Sequence, residues 1–299
     1  MRIALGIEYQ GSNYQGWQKQ NNAKNNAKND FINSLQLELE KALSKVADHK
    51  VNVVCAGRTD SGVHATSQVV HFDTSSNRLD NQWMLGANAS LNKDIRVIWA
   101  KKVSGEFHAR FSANYRHYQY LMWAEPRKIA NSSALFGHLI VNPRKVLDIN
   151  KMHEASQMLL GVHDFSAFRG SGCQAKTPIR SIDGISVKKN GDLIVIDIIA
   201  NAFLYHMVRN IVGVLFEVGV EKKPITWVHD VLAGKNRDIN YRTMPALGLY
   251  FVGVGYPDFP GVDRLSYFRK IMLISDHSSL VYKGENSSKK LYLEKEGVL

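Results

Sequence analysis

Val51-Asn-Val-Val-Cys-Ala-Gly-Arg-Thr-Asp-Ser-Gly-Val-His-Ala-Thr-Ser-Gln-Val-Val-His-Phe-Asp73 places two short apolar runs, Val51 to Ala56 and Gln68 to Asp73, around a loop with glycine at 57 and 62. β-branched runs bounded by glycine read as two strands joined by a turn. Upstream, Ile3, Leu5, Ile7 and Tyr9 alternate on one face of a further strand. An Asn- and Lys-rich insert, Asn21 to Asn29, reads as a loop without a site. After it, Phe31, Leu35, Leu39, Leu43 and Val46 recur at helical spacing behind a cap at Asp30. Downstream come a weaker helix near Asn81 to Leu91 and a strand at Ile95 to Val103. The order is β-α-β-β-α-β.

A similar order returns from about residue 114. A strand covers Tyr115 to Trp123, a helix lies near Asn150 to Leu160, and a strand pair runs at Ser181 to Lys188 and Asp192 to Ala200. A long helix follows over Phe203 to Val218, a short one near Ile225 to Leu232, and a closing strand at Gly248 to Val254. Two such units in series define an α/β chain of the α+β kind, built from two ferredoxin-like domains of the type used by many RNA-binding sheets. The expected boundaries are 1–108 for the first domain and 109–258 for the second. Residues 259–299, polar beyond Tyr267-Phe-Arg-Lys-Ile-Met-Leu, form a peripheral tail.

The 299 residues carry 38 Lys and Arg against 27 Asp and Glu, a formal charge of +11. A surplus of this size favours a polyanionic partner, with RNA, DNA and anionic membrane all open on charge alone. No apolar run approaches the roughly 18 residues that would span a bilayer. The amino terminus meets a charge at once and alternates like a strand instead of forming a secretory leader, so a cytoplasmic protein is expected. The two cysteines, Cys55 and Cys173, have neither CxxC nor zinc-ligand spacing and read as reduced bystanders.

The Gly57-Arg-Thr-Asp-Ser-Gly62 loop is the candidate chemical centre, because loops at strand ends present functional groups. It is not a phosphate loop, since Val63 and His64 stand where Lys and Ser or Thr are required. No dinucleotide fingerprint follows the first strand. Asp60, His64, His71 and Asp73 are metal-ligand types, but they lack an HExxH or a deaminase signature, and no metal site is assigned. Ser61 lacks the setting of a nucleophile elbow. For Asp60 two readings stand level: a salt bridge pinning the turn, or a catalytic carboxylate.

Seven segments, in order, resemble one family. They are Gly6-Ile-Glu-Tyr-Gln-Gly11 with Tyr14-Gln-Gly-Trp-Gln18, Ala56 to Ala65, Phe107-His-Ala-Arg-Phe111, Tyr115-Arg-His-Tyr-Gln-Tyr120, Asp164-Phe-Ser-Ala-Phe168, Asn201 to Gly213, and Gly248-Leu-Tyr-Phe-Val252. Together they look like the signature segments of the bacterial tRNA pseudouridine synthase A family. The resemblance implies two α/β domains facing across a basic cleft, the pseudouridine synthase fold. It also implies isomerisation of uridine at positions 38, 39 and 40 of the tRNA anticodon stem-loop by a cofactor-free homodimer. By the same resemblance Asp60 is the catalytic aspartate and Arg209 the helix arginine that pairs with it. Arg58 and Tyr118 contact the target nucleotide, Tyr118 against the flipped base. Arg78, the run Phe107, His108, Ala109, Arg110 and Phe111, and the loop Phe168, Arg169, Gly170, Ser171 and Gly172 hold the tRNA. The chain departs from the family at Gly172-Cys-Gln, at Pro126 and at Arg242-Thr-Met-Pro245.

The chemistry accounts for these residue types. Pseudouridine formation breaks the N1–C1′ bond, turns the uracil, joins C5 to C1′ and removes the C5 proton. An ionised carboxylate can attack C1′, attack C6 or take the C2′ proton. Arg209 lies among Phe203, Leu204, Met207, Val208, Ile211 and Val212, where an inward guanidinium needs a charged partner. A base leaving its stack costs a few kcal/mol, which an aromatic face and a cation offset. Tyr118 and Tyr120 share one strand face, and only the resemblance singles out Tyr118.

Overall fold

The computed structural model describes residues 1–19, 33–126, 133–237 and 240–266. In the first half, β1 (Arg2–Tyr9) leads to α1 (Leu35–Ala47), β2 (Val54–Cys55), β3 (His64–Asp73), α2 (Asp80–Ser90) and β4 (Ile95–Val103). In the second, β5 (Tyr115–Trp123) leads to α3 (Ile149–Gln157), β6 (Gly161–Asp164), β7 (Ile179–Asn190), β8 (Leu193–Ala200), α4 (Met207–Gly219), α5 (Trp227–Gly234), β9 (Leu249–Gly255) and α6 (Pro260–Ser266).

Among the described residues the strands form one nine-stranded sheet in the order β4-β1-β3-β9-β5-β8-β7-β6, with β2 beside β3. Each half repeats one antiparallel order. The first runs β4-β1-β3-β2, the second β9-β5-β8-β7. The duplicated reading therefore holds at the level of strand order. The halves join where β3 pairs in parallel with β9, His64 opposite Tyr250 and Ala65 opposite Phe251.

Strand β2 pairs with the far end of β3, away from that joint, and is shorter than expected. A strand over 51–56 was expected, yet only Val54 and Cys55 pair, opposite His71 and Val70. The Val51 N–H donates to Ser44 Oγ at 2.9 Å and the Val53 N–H to Glu40 Oε1 at 3.0 Å, so α1 side chains satisfy the backbone that a strand partner would take. The other end of β3 is left open to β9. β3 itself starts at His64 and not at Gln68, which shortens the loop before it.

Two further expectations are corrected, and one strand was not foreseen. Helix α1 is capped by Ser34, whose Oγ accepts the Leu37 N–H at 3.3 Å; Asp30 and the 21–29 insert lie outside the described residues, as does the tail from 267. Helix α4 begins at Met207 instead of Phe203, because Asn201 Oδ1 accepts the N–H groups of Ala202 and Ser181 and holds a turn there. The short edge strand β6 carried no alternation long enough to read.

Side chains alternate along β5. Tyr118, Tyr120 and Met122 join the main core, which also holds the apolar face of α4, while Leu121 and Trp123 join a smaller core on the other face with Ile140, Tyr250 and Val252. Among the described residues no helix is long and apolar enough to cross a membrane.

Candidate active site

The loop between β2 and β3 is fixed from several sides. Thr59 is buried, its Oγ1 2.8 Å from the Tyr9 hydroxyl, and its carbonyl accepts the Trp17 N–H at 3.0 Å. Ser61 Oγ donates to the Tyr14 carbonyl at 3.1 Å. The turn closes with Val63 N–H donating to Asp60 O at 3.2 Å, across Gly62 at φ +80°, a left-handed conformation that glycine adopts without steric cost. Alternation around the turn then faces Thr59 inward and Arg58 to solvent, with Asp60 half-buried between them.

Asp60 meets α4. Arg209 Nη1 donates to Asp60 Oδ2 at 3.3 Å, and the two side chains keep only 16% and 19% of their exposure. Arg209 faces inward because the segment 242–244 brackets it: Arg209 Nε donates to Met244 O at 2.7 Å, and Met244 N–H donates to Arg209 O at 3.2 Å. The run Arg242-Thr-Met-Pro245 thus supplies the bracket. A half-buried guanidinium 3.3 Å away is a charged hydrogen-bond donor that holds the Asp60 carboxylate in place.

A third titratable group was missed from the sequence. His206 Nε2 lies 3.5 Å from the same Asp60 oxygen. His206 caps α4 at φ 62°, ψ 1°, a conformation that costs a non-glycine residue about 1–3 kcal/mol. Burial holds its imidazole below the usual histidine range, against the opposing pull of Asp60. The only signal in the sequence was the i, i+3 spacing from Arg209, which puts both on one helix face.

Tyr118 forms the floor. It is 8% exposed, and its ring meets Phe203 and Phe251 edge-on at 5.0 and 5.1 Å. Burial, with Tyr9 and Asp60 adding to it, pushes the phenol well above its ordinary range, so it stays protonated.

Arg116, also unassigned from the sequence, ties these parts together. Its Nη1 donates to Ala113 O at 3.0 Å and Asn201 O at 2.8 Å, and its Nη2 to Ala56 O at 3.2 Å and Arg110 O at 2.5 Å. One buried fork therefore holds the start of the Asp60 loop, the 107–113 segment and the turn before α4. An arginine in the aromatic strand Tyr115-Arg-His-Tyr-Gln-Tyr120 was the available signal.

The remaining sequence-assigned residues divide by exposure. In the 107–111 segment, Phe107 and Ala109 are fully buried anchors: Phe107 packs on Tyr256 and Phe259, and Ala109 O accepts from the Tyr256 hydroxyl at 2.6 Å. Phe111 is largely exposed, stacked on His108 at 4.3 Å with the Arg110 guanidinium 5.5 Å from its ring centre. Phe168 is buried near Phe165 and Tyr241. Arg169 Nη2 donates to Cys173 O and Ala175 O, closing its own loop and leaving Ser171 and Gly172 exposed. Arg78 stands apart from this group, with its Nε donating to Val46 O at the end of α1. Cys173 is more than a bystander, since its Sγ accepts the Tyr205 N–H at 3.4 Å.

His64 is a latch across the joint. Its Nδ1 accepts the Gly11 N–H at 3.1 Å, leaving Nε2 to carry the proton toward Leu247 O at 3.1 Å, and its ring stacks on Tyr250 at 4.8 Å. Burial lowers its pKa from 6.5 to about 4. The folded state thus binds fewer protons than the unfolded chain between those values, so the stabilisation is complete above about pH 6.5 and is lost as pH falls through about 4. The melting temperature is expected to drop over that window. In His64→Gln, which can accept and donate to the same two groups without titrating, the drop is shallower; equal slopes in thermal melts would show that His64 is not responsible.

The arrangement is a single half-buried carboxylate held by an arginine, beside a neutral tyrosine and a basic, aromatic rim, on a duplicated ferredoxin-like sheet. The sequence profile of a family described as tRNA pseudouridine synthase matches residues 6–112 and 155–257. A protein called tRNA pseudouridine synthase A from Colwellia psychrerythraea is 49% identical over 258 residues, covering 86% of this chain and 95% of its own. Proteins of the same name from Citrobacter koseri (49% identical; 86% and 90% covered) and Buchnera aphidicola (50% identical; 85% and 92% covered) are similar to it as well. The chain belongs to the tRNA pseudouridine synthase family.

Proposed function

We propose that this protein isomerises uridine to pseudouridine at positions 38, 39 and 40 in the anticodon stem-loop of tRNA, without a cofactor, as a homodimer in the cytoplasm. The observation that carries the reading is the Asp60–Arg209 pair at 3.3 Å, on a loop fixed by both halves of the sheet, in a chain of this family. The RNA lies across the boundary between residues 1–108 and 109–258.

The target base leaves its stack and enters above Tyr118, and Arg58, exposed at the mouth, takes the vacated space or a phosphate. Asp60 acts as an ionised carboxylate at the sugar or ring. The N1–C1′ bond breaks, the uracil turns against the apolar floor, C5 bonds to C1′, and the C5 proton leaves as N1 gains one. Nothing is oxidised, reduced or hydrolysed. Tyr118, being protonated, can donate a hydrogen bond to the loosened uracil but cannot take the C5 proton in its resting form.

Incubation of unmodified tRNA transcripts with the protein, followed by carbodiimide mapping, is expected to show pseudouridine at 38 to 40. Transcripts left unchanged throughout would overturn the reading. Sedimentation checks the dimer, and a concentration-independent monomer would refute it. Binding should also weaken steeply with salt, because phosphate contacts release counterions. Arg110→Ala is expected to lower tRNA affinity and reduce the slope of log K against log salt by about 1. An unchanged slope in filter-binding titrations would remove Arg110 from the RNA contact.

A further inference from the structure

Tyr205 is an aromatic residue that the chemistry above does not use, and it sits beside the catalytic carboxylate. It is 45% exposed. One face of its ring lies on the His206 imidazole, centres 3.8 Å apart and planes at 25°. His206 in turn places Nε2 3.5 Å from Asp60 Oδ2. Tyr205 is therefore one ring removed from the Asp60 carboxylate.

The pair is also held in place. Gly170 N–H donates to Tyr205 O at 2.8 Å, and the Tyr205 N–H donates to Cys173 Sγ at 3.4 Å. A Cβ on Gly170 would lie 2.9 Å from Tyr205 Cδ1 and 3.0 Å from His206 Cβ, so the 169–173 loop can close over the ring edges only with glycine there. With one face on His206 and an edge against Gly170, the exposed part of Tyr205 is its outer face. The left-handed backbone of His206, at φ 62°, is kept although asparagine or glycine would fit it with less strain.

An exposed, immobilised aromatic face beside a base-modifying centre, flanked by a basic loop, has the chemistry of a nucleobase stacking site. We propose that Tyr205 and His206 form a two-ring platform on which the nucleotide next to the target uridine stacks, with His206 a positioning residue that couples this platform to Asp60. This rests on the uridine-isomerising reading above. The neighbouring base settling on Tyr205 adds binding energy beside Asp60, and His206 holds the platform at that distance.

The test uses a hairpin RNA of anticodon-arm sequence with 2-aminopurine beside the target uridine. Stacking on Tyr205 quenches its fluorescence on binding to the wild-type protein. Tyr205→Ala is expected to lose that quenching and to raise KM by roughly 5- to 100-fold with little change in kcat. Tyr205→Phe and Tyr205→Trp restore both. His206→Asn keeps the backbone tolerance but removes the lower ring, and is expected to reduce quenching and to lower kcat. Unchanged quenching and KM in Tyr205→Ala, with a melting temperature equal to wild type, would overturn the platform. If the wild-type protein makes no pseudouridine yet quenches through Tyr205, the isomerase reading fails while the stacking site stands.

Discussion

Asp60→Asn is expected to bind tRNA with near wild-type affinity and to form pseudouridine more slowly by a factor on the order of 10³ or more. The substitution is nearly isosteric and leaves Oδ in place for the Arg209 contact at 3.3 Å. The loop does not depend on the carboxylate, since Thr59, Ser61 and the Asp60 carbonyl make its hydrogen bonds. What disappears is the negative charge that every available route to C1′, C6 or the C2′ proton requires. Single-turnover assays with carbodiimide mapping measure the rate, and filter binding measures the affinity. Equal rates would remove Asp60 from catalysis and leave it as a turn-pinning residue.

Arg209→Lys is expected to have the second largest effect, a loss in kcat on the order of 10²-fold with KM changed far less. The guanidinium does two things that an ammonium cannot do together: Nε holds Met244 O at 2.7 Å while Nη1 reaches Asp60. A lysine can reach one or the other. If it keeps the carbonyl, the half-buried carboxylate loses its ion-pair partner. A variant with wild-type kcat would show that the pair is structural only.

The distribution of these effects follows how the chain is built. Gly62, Thr59 and Ser61 organise the loop locally, whereas the partners of Asp60 come from a helix 149 residues further on. The main helix–strand order was legible because alternation and helical spacing are properties of neighbours in sequence. Arg209 could be suspected, since an arginine in an apolar helix needs a partner. His206, Arg116 and Tyr205 could not be ranked, because their roles rest on a left-handed cap, on four carbonyls gathered by one fork, and on a ring pair held by a distant loop.

The sequence by itself determined the duplicated β-α-β-β-α-β order, the glycine-bounded loop that presents Asp60, and the basic character of the surface. Each depends on residue type and short-range spacing. Only the tertiary structure decided that β2 stays short, that the start of β3 pairs with β9, and that Asp60 faces Arg209 and His206 near Tyr118. Those outcomes turn on which backbone groups find partners across the sheet and which charges are withdrawn together from water. Both are balances between groups far apart in the chain, which local pattern does not encode.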